Sequence, residues 1–158
     1  MDRGRKEKSA GQTGETGEKV MKLTQPTSIK DIKREWHFFD VEGKTLGRIA
    51  TVIAQKLIGK DKPYFVSHLD CGDYAVVVNA GQVSVSGKKN KQKEYQHFSG
   101  YPGGLKRKTF AEVLKTNPTR IIREAVSGML PKNKLRALML KRLYIYSDEK
   151  HPYQSKFK

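Results

Sequence analysis

The sequence predicts an α/β domain with a small, mostly parallel central sheet of about four strands. Two observations carry this prediction. The ordered part of the chain opens with a strand, residues 36–41, and an amphipathic helix follows it directly. Residues 74–79 (YAVVVN) then form a continuous apolar run, which is typical of a strand covered on both faces in a parallel sheet. A length of 158 residues fits one such domain and not two full-sized ones.

The helix after the first strand is predicted from its apolar stripe. Thr45 is the expected N-cap, and Gly59 is the expected end of the helix. Between them, apolar side chains recur at helical spacing, namely Leu46, Ile49, Ala50, Ile53, Ala54, Leu57 and Ile58. Residues 83–86 (VSVS) alternate and predict a half-exposed strand.

Three more helices and a last strand are predicted in the second half of the chain. Thr109 and Glu112 have capping-box spacing and should begin a short helix. Asn117 as N-cap, with Pro118 at the first helical position, begins a second helix that ends near residue 130. Residues 134–142 form the third helix, and residues 143–146 (LYIY) form the last strand.

The chain divides into three parts. Residues 1–20 are expected to be a disordered, basic extension, because their Gly, Lys, Glu, Thr and Ser content cannot form a core. Residues 21–34 are an extended lead-in, and residues 35–158 are one domain with a short polar tail. No apolar run reaches the roughly 18 residues of a membrane span, and the N-terminal region has no signal-peptide core. We therefore expect a soluble protein that is not secreted.

Positive charge is concentrated in one part of the chain. Residues 81–143 contain fifteen Lys or Arg and three acids, whereas residues 35–80 contain five bases and six acids. Such segregated charge makes a directional field that attracts a polyanion, such as nucleic acid or an anionic membrane surface. A membrane surface is disfavoured, because the bases do not form one amphipathic basic helix.

The strongest chemical signal in this basic half is the segment of residues 97–108 (HFSGYPGGLKRK), here called the glycine loop. Its glycines permit positive φ and close approach to a partner, three cations follow them, and the rings of His97, Phe98 and Tyr101 could stack on unpaired bases. A surface turn with solvated lysines is the simpler alternative. A nucleotide-binding P-loop is disfavoured, because Lys106 is followed by Arg107 rather than by Ser or Thr.

Two other groups of residues invite a functional interpretation. His68, Asp70, Cys71 and Asp73 place an imidazole, a thiol and carboxylates together, but a tight turn at Gly72 with an aspartate capping backbone amides is favoured over a catalytic cysteine or a metal site. The single cysteine forms no internal disulfide and suits a reducing cytosol. The lysines between residues 88 and 93 and the bases between residues 132 and 136 are expected to flank the glycine loop in contact with a polyanion.

Several of these stretches, in their order and spacing, resemble the bacterial type of large-subunit ribosomal protein thirteen. They are KTLGR at residues 44–48, GKDKP at 59–63, GDY at 72–74, VNA at 78–80, the run at 97–106, and GMLPKN at 128–133. The resemblance spans residues 21–152. The chain departs from the family at Leu135-Arg136-Ala137, where Leu-Gly-Arg is common, and at Tyr153, which replaces a usual histidine.

The resemblance implies a three-layer α/β/α domain that binds large-subunit (23S-type) ribosomal RNA, supports early subunit assembly and remains a structural component without catalysis. It implies neighbouring large-subunit ribosomal proteins as further partners, and a cytoplasmic ribosome of bacterial rather than organellar type. No cofactor, metal, membrane or small-molecule substrate is expected. The candidate RNA-binding residues are Lys44, Arg48, Lys60, Lys88, Lys89, Lys91, Lys93, His97, Ser99, Gly100, Tyr101, Gly103, Gly104, Lys106, Arg107, Lys108, Arg123, Lys132, Asn133, Lys134 and Arg136.

Two rival functions stay open on sequence alone. An enzyme acting on a phosphorylated small molecule would use the glycine loop or the surroundings of Cys71, and it predicts turnover that is sensitive to Cys71→Ser. A general DNA-compacting protein would bind duplex DNA as well as it binds ribosomal RNA.

Overall fold

The computed structural model describes residues 27–157. The strands are β1 (Trp36–Asp40), β2 (Tyr74–Val78), β3 (Glu94–Phe98), β4 (Leu105–Thr109) and β5 (Leu143–Ile145). The helices are α1 (Leu46–Ile58), α2 (Lys89–Gln92), α3 (Phe110–Thr116), α4 (Pro118–Met129) and α5 (Leu135–Lys141). The extension predicted at residues 1–20 lies outside the described residues. The described part of the lead-in contains a single 3₁₀ turn, Ile29–Asp31.

The central sheet is parallel, with strand order β1-β2-β5, which confirms the α/β class. It has three strands, so the prediction of about four is corrected. Residues 83–86 do not form a strand, because Ser84 pairs with the entry to α1 instead. Its N–H donates to the Lys44 carbonyl at 3.1 Å, and its own carbonyl accepts from the Leu46 N–H at 2.9 Å. The strands β3 and β4, which the sequence did not predict, form a separate antiparallel hairpin.

The helix boundaries follow the predicted local signals closely. Gly59 ends α1 in the left-handed conformation, with φ +79°. The capping box of α3 is present, since the Glu112 N–H donates to Thr109 Oγ1 and the Thr109 N–H donates to the Glu112 carboxylate. Asn117 caps α4 through its side-chain oxygen. Thr45 lies at the N-cap position of α1, but its side chain makes no capping hydrogen bond.

One hydrophobic core joins the helices to the sheet. Ala75 and Val77 of β2 belong to it, together with side chains from α1, α3, α4 and α5. Phe110, the first residue of α3, is its largest fully buried side chain. Burying a side chain of this size contributes about 1.5–3 kcal/mol. This core holds the N-terminal end of α1 beside α4, which positions the surface described below.

Aromatic side chains cover the opposite face of the sheet. The Trp36 ring stacks on Tyr74, with centroids 4.4 Å apart, and it is 5.0 Å from Tyr153. Tyr153 also lies against Tyr144 of β5, with centroids 4.6 Å apart, and Phe157 meets the edge of Trp36. In the described part of the chain, the third layer is therefore the C-terminal segment, which contains the 3₁₀ turn Gln154–Lys156. The tail predicted to be polar thus contributes apolar packing.

A buried ionic cluster ties the end of α1 to β2 and β5. Arg142 is 5% exposed; its guanidinium donates to the Asp70 carboxylate, to the Asp73 carbonyl and to the Leu57 carbonyl. A side chain at Gly72 is excluded, because its Cβ would lie 1.7 Å from the Leu57 carbonyl oxygen. The structure has no turn at residues 70–73, so the tight turn predicted at Gly72 is corrected: glycine is needed there for close packing against the end of α1.

Asp73 is the second carboxylate of this cluster. It accepts from the Glu35 backbone N–H at 2.9 Å, pairs with Lys62, and lies 3.0 Å from His37 Nε2. This confirms that an aspartate of this segment caps a backbone amide, but the amide lies just before β1 and not in a turn. Burial raises the pKa of Asp73, but the hydrogen bonds from Lys62, the Glu35 amide and His37 outweigh that effect and hold the pKa below its ordinary value.

Candidate nucleic-acid interface

The glycine loop is the tip of the β3–β4 hairpin. Tyr101 to Gly104 form its turn, in which the Gly104 N–H donates to the Tyr101 carbonyl at 2.9 Å. Pro102 takes the second position, and Gly103 takes the third with φ +73°, as a type II turn requires. Gly100 also has positive φ, at +91°. Gly104 does not; it is confined instead by the Ser99 hydroxyl, which a Cβ would meet at 2.0 Å.

The hairpin register separates the three cations that follow the turn. His97 is opposite Lys106 and Tyr95 is opposite Lys108, so these four side chains share one face. We call this the lysine face of the hairpin. Arg107 is opposite Gln96 and therefore lies on the other face.

The other face carries a different chemistry. Arg107 lies there 3.8 Å from the Glu94 carboxylate. The exposed apolar side chains Phe98 and Leu105 pair with each other on the same face, nearer the tip. From the sequence, Lys106, Arg107 and Lys108 were expected to act as one group. Because side chains alternate along β4, Lys106 and Lys108 lie on one face and Arg107 lies on the other.

Tyr95 connects the lysine face to the body of the domain. It is 7% exposed, and its ring lies 5.3 Å from Lys93 Nζ. Burial raises the pKa of Tyr95, and the negative charge of Glu124 on α4 raises it further. Because Tyr95 belongs to the hydrophobic core, it anchors the hairpin to the body of the domain, and Lys93 sits at this junction.

A groove beside this junction is formed where the beginning of α1 meets the end of α4. Its volume is about 640 Å³. It is lined by Thr45, Leu46, Gly47, Arg48, Val85, Ser86, Lys89, Lys93, Glu124, Ala125, Gly128 and Met129. We call it the α1–α4 groove. It brings Arg48, from the nearly neutral part of the sequence, together with Lys89 and Lys93 from the basic part.

Two smaller hollows lie on either side of the same region. One has a volume of about 350 Å³ and is lined by Lys44 and Arg48 along with Thr45 and Val52; it shares Thr45 and Arg48 with the α1–α4 groove. The other is formed by residues around α2, including Lys88 and Lys91. Lys44 and Arg48 thus line a hollow that adjoins the α1–α4 groove, whereas Lys88 and Lys91 line a separate hollow.

The bases between α4 and α5 have mixed roles. Lys132 and Lys134 are exposed. Asn133 precedes the N-cap residue of α5, and its side-chain oxygen accepts from the Arg136 N–H in the first turn of that helix at 3.1 Å. Arg136 is partly buried and donates to the Ser127 hydroxyl. Asn133 and Arg136 therefore stabilise the α4–α5 connection.

Two predicted contact residues lie apart from the rest. Lys60 follows the far end of α1, and the 13 residues of that helix span about 20 Å. Arg123 is exposed on α4, but the helical period places it on a different side from Gly128, which lines the groove. The structure does not bring these two cations to the α1–α4 groove.

The features proposed for an enzyme do not form a catalytic arrangement. Cys71 is fully buried, whereas His68 is exposed. The glycine loop joins two antiparallel strands, whereas a P-loop lies between a strand and a helix. Glu35, His37 and Asp73 have ligand atoms within 4.8 Å of one another, but the Lys62 ammonium already neutralises Asp73. In the described part of the chain, no helix is long and apolar enough to cross a bilayer.

Sequence reasoning missed the apolar members of the surface. Val85, which was assigned to a half-exposed strand, and Met129 of α4 both line the α1–α4 groove, and Met129 is 42% exposed. Tyr95 was not singled out at all. It lies three residues before Phe98 of the glycine loop, in a segment where apolar and polar residues do not clearly alternate. That position was the one sign in the sequence that it belongs to the same surface.

Comparison with known proteins adds a consistent set of relatives. The family described as "Ribosomal protein L13" matches residues 34–152. "Large ribosomal subunit protein uL13" of a Nitratiruptor species is 46% identical over 138 residues, which cover 87% of this chain and 99% of the relative. Proteins of the same name from Oleidesulfovibrio alaskensis and Teredinibacter turnerae are each 49% identical, covering 80% and 82% of this chain and 88% and 92% of those relatives.

Proposed function

This chain belongs to the ribosomal protein L13 family, of the bacterial type, and we propose that it binds large-subunit (23S-type) ribosomal RNA and supports early assembly of the subunit. Members of this family are structural components of the ribosome, so the protein is not an enzyme. Its relatives are named as large-subunit proteins, which supports the same place for this chain. We propose a cytoplasmic, bacterial-type ribosome as its location and other large-subunit proteins as its neighbours.

The observation that carries the proposal is the continuity of the lysine face with the α1–α4 groove. Lys106 and Lys108 lie on the hairpin face of Tyr95, and the Tyr95 ring contacts Lys93, which lines the groove. One cationic surface therefore runs from the hairpin to the start of α1. RNA is held largely through its phosphates and recognised by its shape, which suits a surface of this extent.

The two faces of the hairpin differ in how far a nearby carboxylate neutralises their positive charge. On the lysine face, the residues opposite Lys106 and Lys108 are His97 and Tyr95, and neither carries a carboxylate. Arg107 lies within ion-pair distance of Glu94, and both side chains are solvent-exposed, so this pair is worth little but still lowers the local positive charge. We therefore assign phosphate binding to the lysine face.

The hairpin tip adds rings that can meet unpaired bases. Tyr101 is 76% exposed and Phe98 is 61% exposed, so both rings are accessible to a partner. Stacking of one base on an aromatic ring contributes about 1–3 kcal/mol. The stiff turn formed by Pro102 and Gly103 holds these rings away from the domain, where a folded RNA junction can reach them.

Co-sedimentation tests the proposed place in the ribosome. The tagged full-length protein, expressed in a bacterial host, is expected to sediment with the large subunit and to remain there through a wash at high salt. A Lys106→Ala, Lys108→Ala variant should be lost from the subunit at lower salt than the unmodified chain, because phosphate contacts set the salt dependence. Recovery only in the free protein fraction would refute the proposal.

Competition distinguishes ribosomal RNA binding from general compaction of DNA. The protein is bound to labelled large-subunit ribosomal RNA and challenged at fixed salt with unlabelled duplex DNA or unlabelled ribosomal RNA. The proposal predicts that RNA displaces the label at a concentration at least tenfold lower than DNA does, when both are counted as nucleotides. Equal displacement would favour a DNA-compacting protein instead.

A further inference from the structure

We propose that the α1–α4 groove takes one unstacked nucleotide of the bound RNA, with the base against its apolar floor and the phosphate at its cationic rim. This inference rests on the proposed RNA-binding function and names what the groove binds. The proposed RNA contacts so far were cations that hold phosphates and exposed rings at the hairpin tip. The groove adds a second place where a base is contacted, in the body of the domain.

The size of the groove suits such an occupant. Its volume of about 640 Å³ lies within the range of roughly 300–1,000 Å³ that is typical of small-ligand sites. Glycines form part of both walls, Gly47 on α1 and Gly128 on α4. A Cβ at either position would meet nothing within 4 Å, so the backbone borders open space. The two helix ends thus leave room that no side chain fills.

The floor of the groove is apolar and incompletely covered. Leu46, Val85, Ala125 and Met129 line it. Met129 is 42% exposed, although it is the last residue of α4, whose residues Ile121, Ile122 and Val126 are buried in the core. The flat face of a base would remove this apolar surface from water, at a gain of about 25 cal/mol per Å² buried.

The rim of the groove is cationic. Arg48, Lys89 and Lys93 line it, against one carboxylate, Glu124. Glu124 is paired within α4, since Arg120 Nε lies 2.6 Å from its carboxylate. The rim therefore offers an excess of positive charge to a phosphate. Because the groove continues into the lysine face through Lys93 and Tyr95, RNA that lies on the hairpin reaches the groove as well, which favours a nucleotide over an acidic peptide as the occupant.

Filling the groove without changing its charge tests the inference. Gly128→Leu places a side chain in the open space, and leucine favours a helix over glycine by roughly 0.8–1 kcal/mol, so the fold should be preserved. Gln55→Leu is the matched control, because Gln55 is exposed on α1 and does not line the groove. The probes are fluorescein-labelled decauridylate and a labelled RNA duplex of 16 base pairs. Anisotropy gives each affinity at fixed salt, and thermal unfolding of each variant checks the fold.

Gly128→Leu is expected to weaken decauridylate binding about fivefold or more, the loss that corresponds to contact with one base. Its affinity for the duplex should stay within twofold of the unmodified protein, and Gln55→Leu should leave both affinities unchanged. Decauridylate affinity equal to that of the unmodified chain would overturn the inference, and so would an equal loss with both probes. Tighter binding of labelled decaglutamate than of decauridylate would also overturn it, in favour of a peptide site.

The nucleotide site and the RNA-binding function can be refuted separately. If the unmodified protein binds duplex and ribosomal RNA with steep salt dependence but Gly128→Leu leaves decauridylate binding intact, only the nucleotide pocket is wrong. If the unmodified protein binds neither RNA probe nor ribosomal RNA, the proposed function fails as well.

Discussion

The two faces of the β3–β4 hairpin should contribute unequally to RNA binding. Replacing Lys106 and Lys108 together by alanine removes both cations of the lysine face, where the register places no carboxylate opposite them. Replacing Arg107 by alanine removes a cation from the other face, where Glu94 already lies 3.8 Å away. The RNA affinity of the double variant should therefore depend less steeply on salt than that of the unmodified chain, whereas Arg107→Ala should change this dependence little.

The expected size follows from counterion release. Each lost phosphate contact lowers the slope of log K against log salt concentration by about 0.7–0.9, so two contacts lower it by about 1.4–1.8. When salt rises from 50 to 200 mM, both proteins lose affinity. The fold loss should be roughly 7 to 12 times smaller for the double variant than for the unmodified chain. For Arg107→Ala the slope should change by less than about 0.7.

The assay is binding of fluorescently labelled large-subunit ribosomal RNA at several potassium chloride concentrations in that range. Lys141→Ala serves as a control for the loss of one exposed positive charge, because Lys141 ends α5 and lines neither the α1–α4 groove nor the lysine face. The reasoning is wrong if Arg107→Ala flattens the slope as much as the double variant does, since the register would then not determine which cations contact phosphate. An unchanged slope in the double variant would exclude the lysine face from the interface.

Three further predictions concern the scaffold. Because the pKa of Asp73 is held low, its ionised form stabilises the fold fully above the unfolded-state pKa of about 4, and this stabilisation is lost as the pH falls from there through the folded-state pKa. Asp73→Asn should therefore lower Tm at pH 7 and make Tm depend less on pH on the acid side of the profile. Gly72→Ala should lower the free energy of unfolding by about 1–3 kcal/mol or more in urea, because its Cβ would meet the Leu57 carbonyl oxygen, while Gly81→Ala, whose Cβ has an ordinary 3.7 Å contact, should cost much less. Asn117→Ala should cost about 1 kcal/mol in the same urea titration, through loss of the α4 cap, and an unchanged midpoint would mean that the cap contributes nothing.

The helices could be predicted from the sequence because their signals are local. The capping box at Thr109, the Asn117-Pro118 start and the glycine end of α1 each act within a few residues, and all three appear in the structure. The buried strand β2 was equally clear, since a continuous apolar run of this short length is typical of a strand that is covered on both faces. Helix α1 and strand β2 together were sufficient to predict the α/β class.

The hairpin could not be predicted in the same way. Its strands read EYQHF and LKRKT, and Tyr95 is the one residue of the two that is buried. A strand that is exposed on both faces shows no alternation of apolar and polar residues, which is the signal that predicts strands. The Pro102-Gly103 pair did mark a turn, and a turn between two polar segments was the remaining indication of a hairpin.

The composition of the site was predictable, but its geometry was not. The cations and the glycine loop are visible in the sequence. Their division into two faces depends on the pairing of Lys106 with His97, which requires the register. The α1–α4 groove depends on packing between helices that are far apart in sequence, since Thr51 of α1 contacts Met129 of α4 across 78 positions. Periodicity shows which face of each helix is buried but not which helix ends meet.

The distribution of ion pairs explains why charge segregated in the sequence also becomes charge available at the surface. The carboxylates of the nearly neutral part are neutralised inside the scaffold: Asp73 pairs with Lys62 of the same part, and Asp70 pairs with Arg142, which is buried and therefore not available at the surface. In the basic part, three carboxylates face fifteen bases, and Glu94 and Glu124 are each paired with an arginine. The lysines of the hairpin and of α2 therefore exceed the acids that could neutralise them. A polyanion is the partner that supplies the missing negative charge, and its binding must weaken as salt competes for the same lysines.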